Sequence, residues 1–128
     1  MDASRIALIA GWISLLGGVV SGSFMGLRFH DEGWLGGYAS FRRRLMRLGH
    51  IAFFGLGFLN LFFAFSVRVA PLAAPVGELA AIALMLGAIT MPATCFLTAW
   101  KEDFRAFFPI PVTLVLAGIV SLLAGWGL

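Results

Sequence analysis

Charged residues are scarce in this sequence, since 12% of its 128 residues are Asp, Glu, Lys or Arg while 61% are apolar. Soluble domains contain about 25% charged residues, so the chain has too little polar surface to cover a water-facing globule. It also has a single cysteine, Cys95. An intrachain disulfide and a pair of redox-active thiols are therefore impossible, which excludes membrane oxidoreductases that exchange disulfides.

Acidic residues are almost absent from the apolar segments. Small multidrug transporters also have four spans, and they carry a membrane-embedded glutamate in the first. Here no ionisable residue lies between Arg5 and Arg28, so the residue that a proton-coupled exporter needs is missing. Glu78 lies just inside the third segment, where we expect it to pair with Arg68 across a short connection. No nucleophile–base pair, metal cluster or phosphate loop appears in the sequence. We therefore expect a non-catalytic protein without a metal site.

Four long apolar segments are present, at residues 6–29, 47–69, 76–100 and 110–128. Each has about the 20 residues that a helix needs to cross a bilayer core, and none alternates as a barrel strand would. Prolines stand before or at the start of the third and fourth segments, where they favour helix initiation. The sequence predicts an all-α membrane protein with one domain, an antiparallel bundle of four transmembrane helices without a soluble domain. A basic connection over 30–46 joins the first two segments, and Ser40 is a predicted N-cap.

The basic residues are unequally divided between the two sides of this bundle. Seven of the nine lie on the side of the first and third connections, namely Arg28, Arg42, Arg43, Arg44, Arg47, Lys101 and Arg105. The positive-inside rule then places both termini on the non-cytoplasmic side, and we expect an integral protein of a bacterial cytoplasmic membrane. The basic residues follow membrane edges and form no stripe along a soluble face, so no nucleic-acid partner is expected.

Four of these arginines lie together beside an aromatic residue at the start of the second segment. A polybasic segment at the cytoplasmic surface attracts anionic lipid headgroups. The predicted lipid-binding residues are Trp34, Arg42, Arg43, Arg44 and Arg47.

Small residues recur at every fourth position in the first and fourth segments. The first carries Ser14, Gly18, Gly22 and Gly26, and the fourth carries Thr113, Ala117, Ser121 and Gly125. Residues four apart share a helix face, and small side chains allow two backbones to approach closely. We favour packing of these two segments against each other within one chain; the alternative is an interface between chains.

Two histidines, His30 and His50, lie near the predicted cytoplasmic boundary. Two imidazoles at similar depth can ligate a haem, hydrogen-bond a quinone or bind the magnesium of a pigment, and contacts with headgroups are the simpler interpretation. We expect no stable haem in the isolated protein and consider a quinone or pigment shared with a partner subunit the better variant. The expected function is an accessory subunit of a larger membrane complex, first of all an energy-transducing one in respiratory or photosynthetic electron transport. The alternative is a small homo-oligomeric channel or transporter built around the third segment, which contains Pro92.

Overall fold

The computed structural model of the protein describes residues 2–128, which contain helices and no strand. Four long helices follow one another: α1 (Ala3–Gly26), α2 (Phe41–Val69), α3 (Ala74–Trp100) and α4 (Pro109–Gly125). Short 3-10 helices lie in the first connection (Trp34–Gly36) and directly before α4 (Glu102–Phe107). Each long helix is long and apolar enough to cross a membrane, the fourth together with the 3-10 helix that precedes it. The predicted four-helix membrane fold is confirmed.

The helix starts follow from local chemistry. The Asp2 carboxylate accepts a hydrogen bond from the Arg5 amide at 2.8 Å and caps α1. The Ser40 hydroxyl accepts one from the Arg43 amide at 3.1 Å, which confirms the predicted N-cap of α2. α2 therefore begins at Phe41 rather than at Arg47, so the arginine cluster lies on helix. Pro75 and Pro109 lie in the first turns of α3 and α4, where no backbone hydrogen bond is lost.

α3 is the central helix, because it packs against α1, α2 and α4. α1 also packs against α2, whereas the only helices that α4 contacts within residues 2–128 are α3 and the adjoining 3-10 helix. The prediction that the first and fourth segments pack together is therefore wrong. α1 packs against α2 instead. Two glycines allow the two helices to approach closely, since a Cβ added to Gly57 would lie 3.2 Å from the backbone oxygen of Gly11.

The core lies between α1, α2 and α3. Its buried members are Ile6, Ala7, Phe63, Ala64, Val67, Ala80, Ala81 and Leu84. Asn60 is fully buried beside them, and its Nδ2 donates to the carbonyl oxygens of Leu56 at 2.9 Å and Leu84 at 3.3 Å. The second of these hydrogen bonds joins α2 to α3.

The outer faces of the helices are apolar. Ile13, Leu16, Phe62 and Leu79 each expose more than half of their surface. A water-soluble bundle would place polar residues on these faces, whereas a bilayer solvates them with hydrocarbon. The distribution of exposed residues is that of an integral membrane protein.

Candidate functional site

The arginines of the first connection and of α2 meet the aromatic residues of that connection at one end of the bundle, which we call the basic end. Arg43 is buried, with 4% of its surface exposed. The centre of its guanidinium lies 5.9 Å from the ring centroid of Phe29, 5.5 Å from that of Trp34 and 5.7 Å from that of Tyr38. These three rings form an aromatic cage around a single cation.

Backbone conformation brings the cage together. Gly36 and Gly37 have φ of 87° and 93°, values that residues other than glycine rarely adopt, and the chain reverses direction there. The Ser40 hydroxyl donates to the Leu35 carbonyl oxygen at 2.8 Å and fixes the turn to the start of α2. This turn brings Trp34 and Tyr38 against the side chain of Arg43, in the first turn of α2.

Arg43 has no carboxylate within 4 Å among residues 2–128, although it is buried. Its Nη1 donates to the Glu32 carbonyl oxygen over a long 3.5 Å, and its Nε has no hydrogen-bond partner. A cation over an aromatic face is stabilised by about 2 kcal/mol when it is desolvated. The cage therefore replaces the missing counter-ion, and Arg43 holds the first connection against α2.

The other arginines of the cluster have different surroundings. Arg42 and Arg44 are exposed, and Arg47 lies 4.4 Å from the Tyr38 ring centroid while its Nη1 donates to the Tyr38 carbonyl oxygen at 3.2 Å. Binding of lipid headgroups by this cluster and Trp34 stays a prediction, and Arg42 and Arg44 are the members free to do so. The inward position of Arg43 was missed from the sequence.

The two histidines lie in different environments. His50 is half-buried between α1 and α2, with Nδ1 3.1 Å from the Ser21 hydroxyl and its ring edge-on to Phe54 at 5.3 Å. His30 is exposed in the turn after α1. The structure gives His50 a part in helix packing, and binding of a quinone, pigment or haem by His30 and His50 stays a prediction.

The small residues of α1 pack against aromatic side chains of α2. A Cβ on Gly18 would lie 2.6 Å from the Phe54 ring, and one on Gly22 would lie 2.6 Å from the His50 ring. Gly26 has no atom within 4 Å of such a Cβ, so it takes no part in this packing.

The small residues of α4 are divided between an inner and an outer face. Gly118 is buried against Leu84 of α3, Ser121 is half-buried, and Ala117 is exposed. The face of α4 that contains Ala117 therefore has no neighbour within residues 2–128.

The opposite end of the bundle differs from the expectation. Arg68 and Glu78 form no ion pair within 4 Å; instead the Arg68 Nε donates to the Ser4 hydroxyl at 2.7 Å. The bond joins α2 to α1. Trp126 closes this end, because its indole nitrogen donates to the Ala70 carbonyl oxygen at 3.0 Å.

Residues 2–128 contain no group of three or more His, Cys, Asp or Glu side chains placed to hold a metal ion. No protein-family model, curated protein or solved structure matches the chain. Fold and surface define a four-helix integral membrane protein, and its role has to be inferred from its own residues.

Proposed function

We propose that this chain is a non-catalytic accessory subunit of a larger membrane protein complex, and that the outer face of α4 is where another subunit docks. The supporting observation is that α4 contacts a single long helix, α3. Thr113, Ala117 and Ala124 are exposed on one face of α4, with Val120 exposed between the last two.

Small exposed residues on a transmembrane helix favour a helix partner over lipid, because a second backbone can approach closely and gain van der Waals contact. Docking through this face leaves the contacts of α1, α2 and α3 unchanged.

The orientation proposed for the subunit has both termini on the non-cytoplasmic side of a bacterial inner membrane. The seven basic residues of the first and third connections support it, since they lie at the basic end. In this orientation Arg42 and Arg44 are exposed at the level of cytoplasmic-leaflet headgroups. An energy-transducing complex, with a quinone or pigment shared at the interface, is the more specific form of the proposal.

Native mass spectrometry from a mild detergent tests the proposal. A docking subunit should be released together with unlike chains. Ala117→Leu should abolish that association, because the larger side chain obstructs the outer face of α4. Gly55→Leu is the control, because Gly55 is exposed on α2 with no atom within 4 Å of an added Cβ. Only copies of the same chain in the released species would instead support a homo-oligomeric channel or transporter, and an unaffected complex with Ala117→Leu would refute docking through α4.

A further inference from the structure

A lateral groove runs along the bundle between α1 and α3, with α2 as its floor. It consists of two clefts of about 370 and 450 Å³ that share Phe53 and Phe96 in their walls. On α1 the walls extend from Ile9 to Phe24, a distance of about 22 Å at the helical rise. We call this surface the α1–α3 groove.

The groove offers hydrocarbon almost exclusively. Apart from Ser14 and Ser21, its walls are apolar. The Ser14 hydroxyl donates to the Phe53 carbonyl oxygen at 2.7 Å, and the Ser21 hydroxyl lies within hydrogen-bond distance of the Gly18 carbonyl oxygen and His50. Both hydroxyls thus have partners within the protein, so the part of a ligand that occupies the groove has to be a hydrocarbon chain.

The end of the groove at the basic end carries an unpaired positive charge. The Arg28 guanidinium lies 5.8 Å from the ring centroid of Phe24, which lines the groove. Arg28 is exposed and has no carboxylate within 4 Å among residues 2–128. Trp34 stands edge-on to Phe24 at 6.5 Å, where an indole commonly marks the headgroup region.

From this combination we infer that the α1–α3 groove retains one anionic phospholipid. Its acyl chain lies along Phe24, Phe53 and Phe96, and Arg28 binds its phosphate. A guanidinium binds phosphate through charge-assisted hydrogen bonds, so charge at one end and hydrocarbon along the length match a phospholipid of the leaflet at the basic end. The site lies on α1 and α3 and is independent of docking through α4.

The experiment uses the whole chain in nanodiscs of phosphatidylglycerol and phosphatidylcholine in equal parts, followed by native mass spectrometry of the released protein. One retained phosphatidylglycerol per chain is expected. Arg28→Gln should reduce its occupancy about tenfold, because a hydrogen bond to a charged partner is lost. Arg105→Gln is the matched control, since it removes one exposed charge at the same end of the bundle and lies outside the groove walls.

A second pair of variants tests the hydrocarbon part of the site. Ala93 is exposed in the groove wall, so Ala93→Phe should fill the space and reduce retention as strongly as Arg28→Gln. Gly55→Phe is the control, because Gly55 is exposed on α2 with open space around it and belongs neither to the groove walls nor to the docking face of α4. If Ala93→Phe fails to fold, Val20→Trp narrows the other cleft from an exposed position.

Equal retention of phosphatidylcholine, a bound quinone in place of the lipid, or unchanged retention in Arg28→Gln would each overturn the inference. So would a chain released without any lipid. Ala117→Leu should leave lipid retention unchanged, even where it causes the loss of unlike subunits. A failure of the lipid site can therefore be distinguished from a failure of docking through α4.

Discussion

The Ser21 hydroxyl of α1 lies 3.1 Å from Nδ1 of His50 on α2. Gly22 makes this approach possible, because its missing side chain leaves the space that the imidazole occupies. Helices in a bilayer associate through such close fits and occasional interhelical hydrogen bonds, since lipid is as apolar as their side chains.

This contact predicts different effects for three glycines of α1. Gly18→Leu and Gly22→Leu should each destabilise the bundle by about 1–3 kcal/mol, because the new side chain meets the ring of Phe54 or His50. Gly26→Leu should be tolerated, because the space around it is open. Unfolding in mixed micelles of increasing denaturing-detergent content measures the difference, and equal loss in all three variants would contradict the packing.

A second prediction concerns Arg43 and the aromatic cage. Arg43→Ala should free the first connection from α2, because the rings lose their shared cation and a buried space opens. Limited chymotrypsin digestion in detergent should then cleave after Tyr38 faster than in the parent. Arg42→Ala, which truncates an exposed neighbour, is the control, and equal cleavage rates in both variants would show that the cage does not hold the connection.

A third prediction concerns Asn60, whose Oδ1 is buried without a hydrogen-bond donor. Asn60→Leu should change the free energy of unfolding by less than about 1 kcal/mol, because the loss of a weak interhelical bond is offset by removal of an unsatisfied oxygen. Asn60→Asp should cost about 2.5 kcal/mol or more, because it places an acid within the membrane. A large loss with Asn60→Leu in the same unfolding assay would mean that the amide has a role beyond packing.

A fourth prediction tests sidedness with single-cysteine variants. Cys95→Ala removes the one native thiol. In that background, a membrane-impermeant maleimide applied to intact cells should label Leu128→Cys and leave Asp103→Cys unlabelled until the cells are opened. The reverse pattern would place the basic end outside.

Sequence reasoning found the four helices because their signals are local: apolar length, prolines in first turns and the serine cap at Ser40. It did not find which helices touch. In lipid every apolar face is solvated equally well, so the choice of partner depends on close fits between residues distant in sequence, such as the Phe54 ring against Gly18.

The same distinction applies to the basic end. The arginines and aromatic residues are visible in the sequence, and their attraction to headgroups follows from charge. That Arg43 turns inward depends on the backbone angles of Gly36 and Gly37 and on the helical register set by Ser40. Three-dimensional placement, rather than residue type, separates the buried arginine from its exposed neighbours.

The packing of α4 against a single long helix, α3, has a consequence for biosynthesis. α4 leaves the ribosome after the other three long helices, and the core of α1, α2 and α3 can form without it. Its docking can therefore be delayed after insertion into the bilayer, until the Trp126 indole reaches the Ala70 carbonyl oxygen. During that interval both faces of the last helix would be free, so a partner subunit of the kind proposed above would meet a larger surface than on the finished bundle.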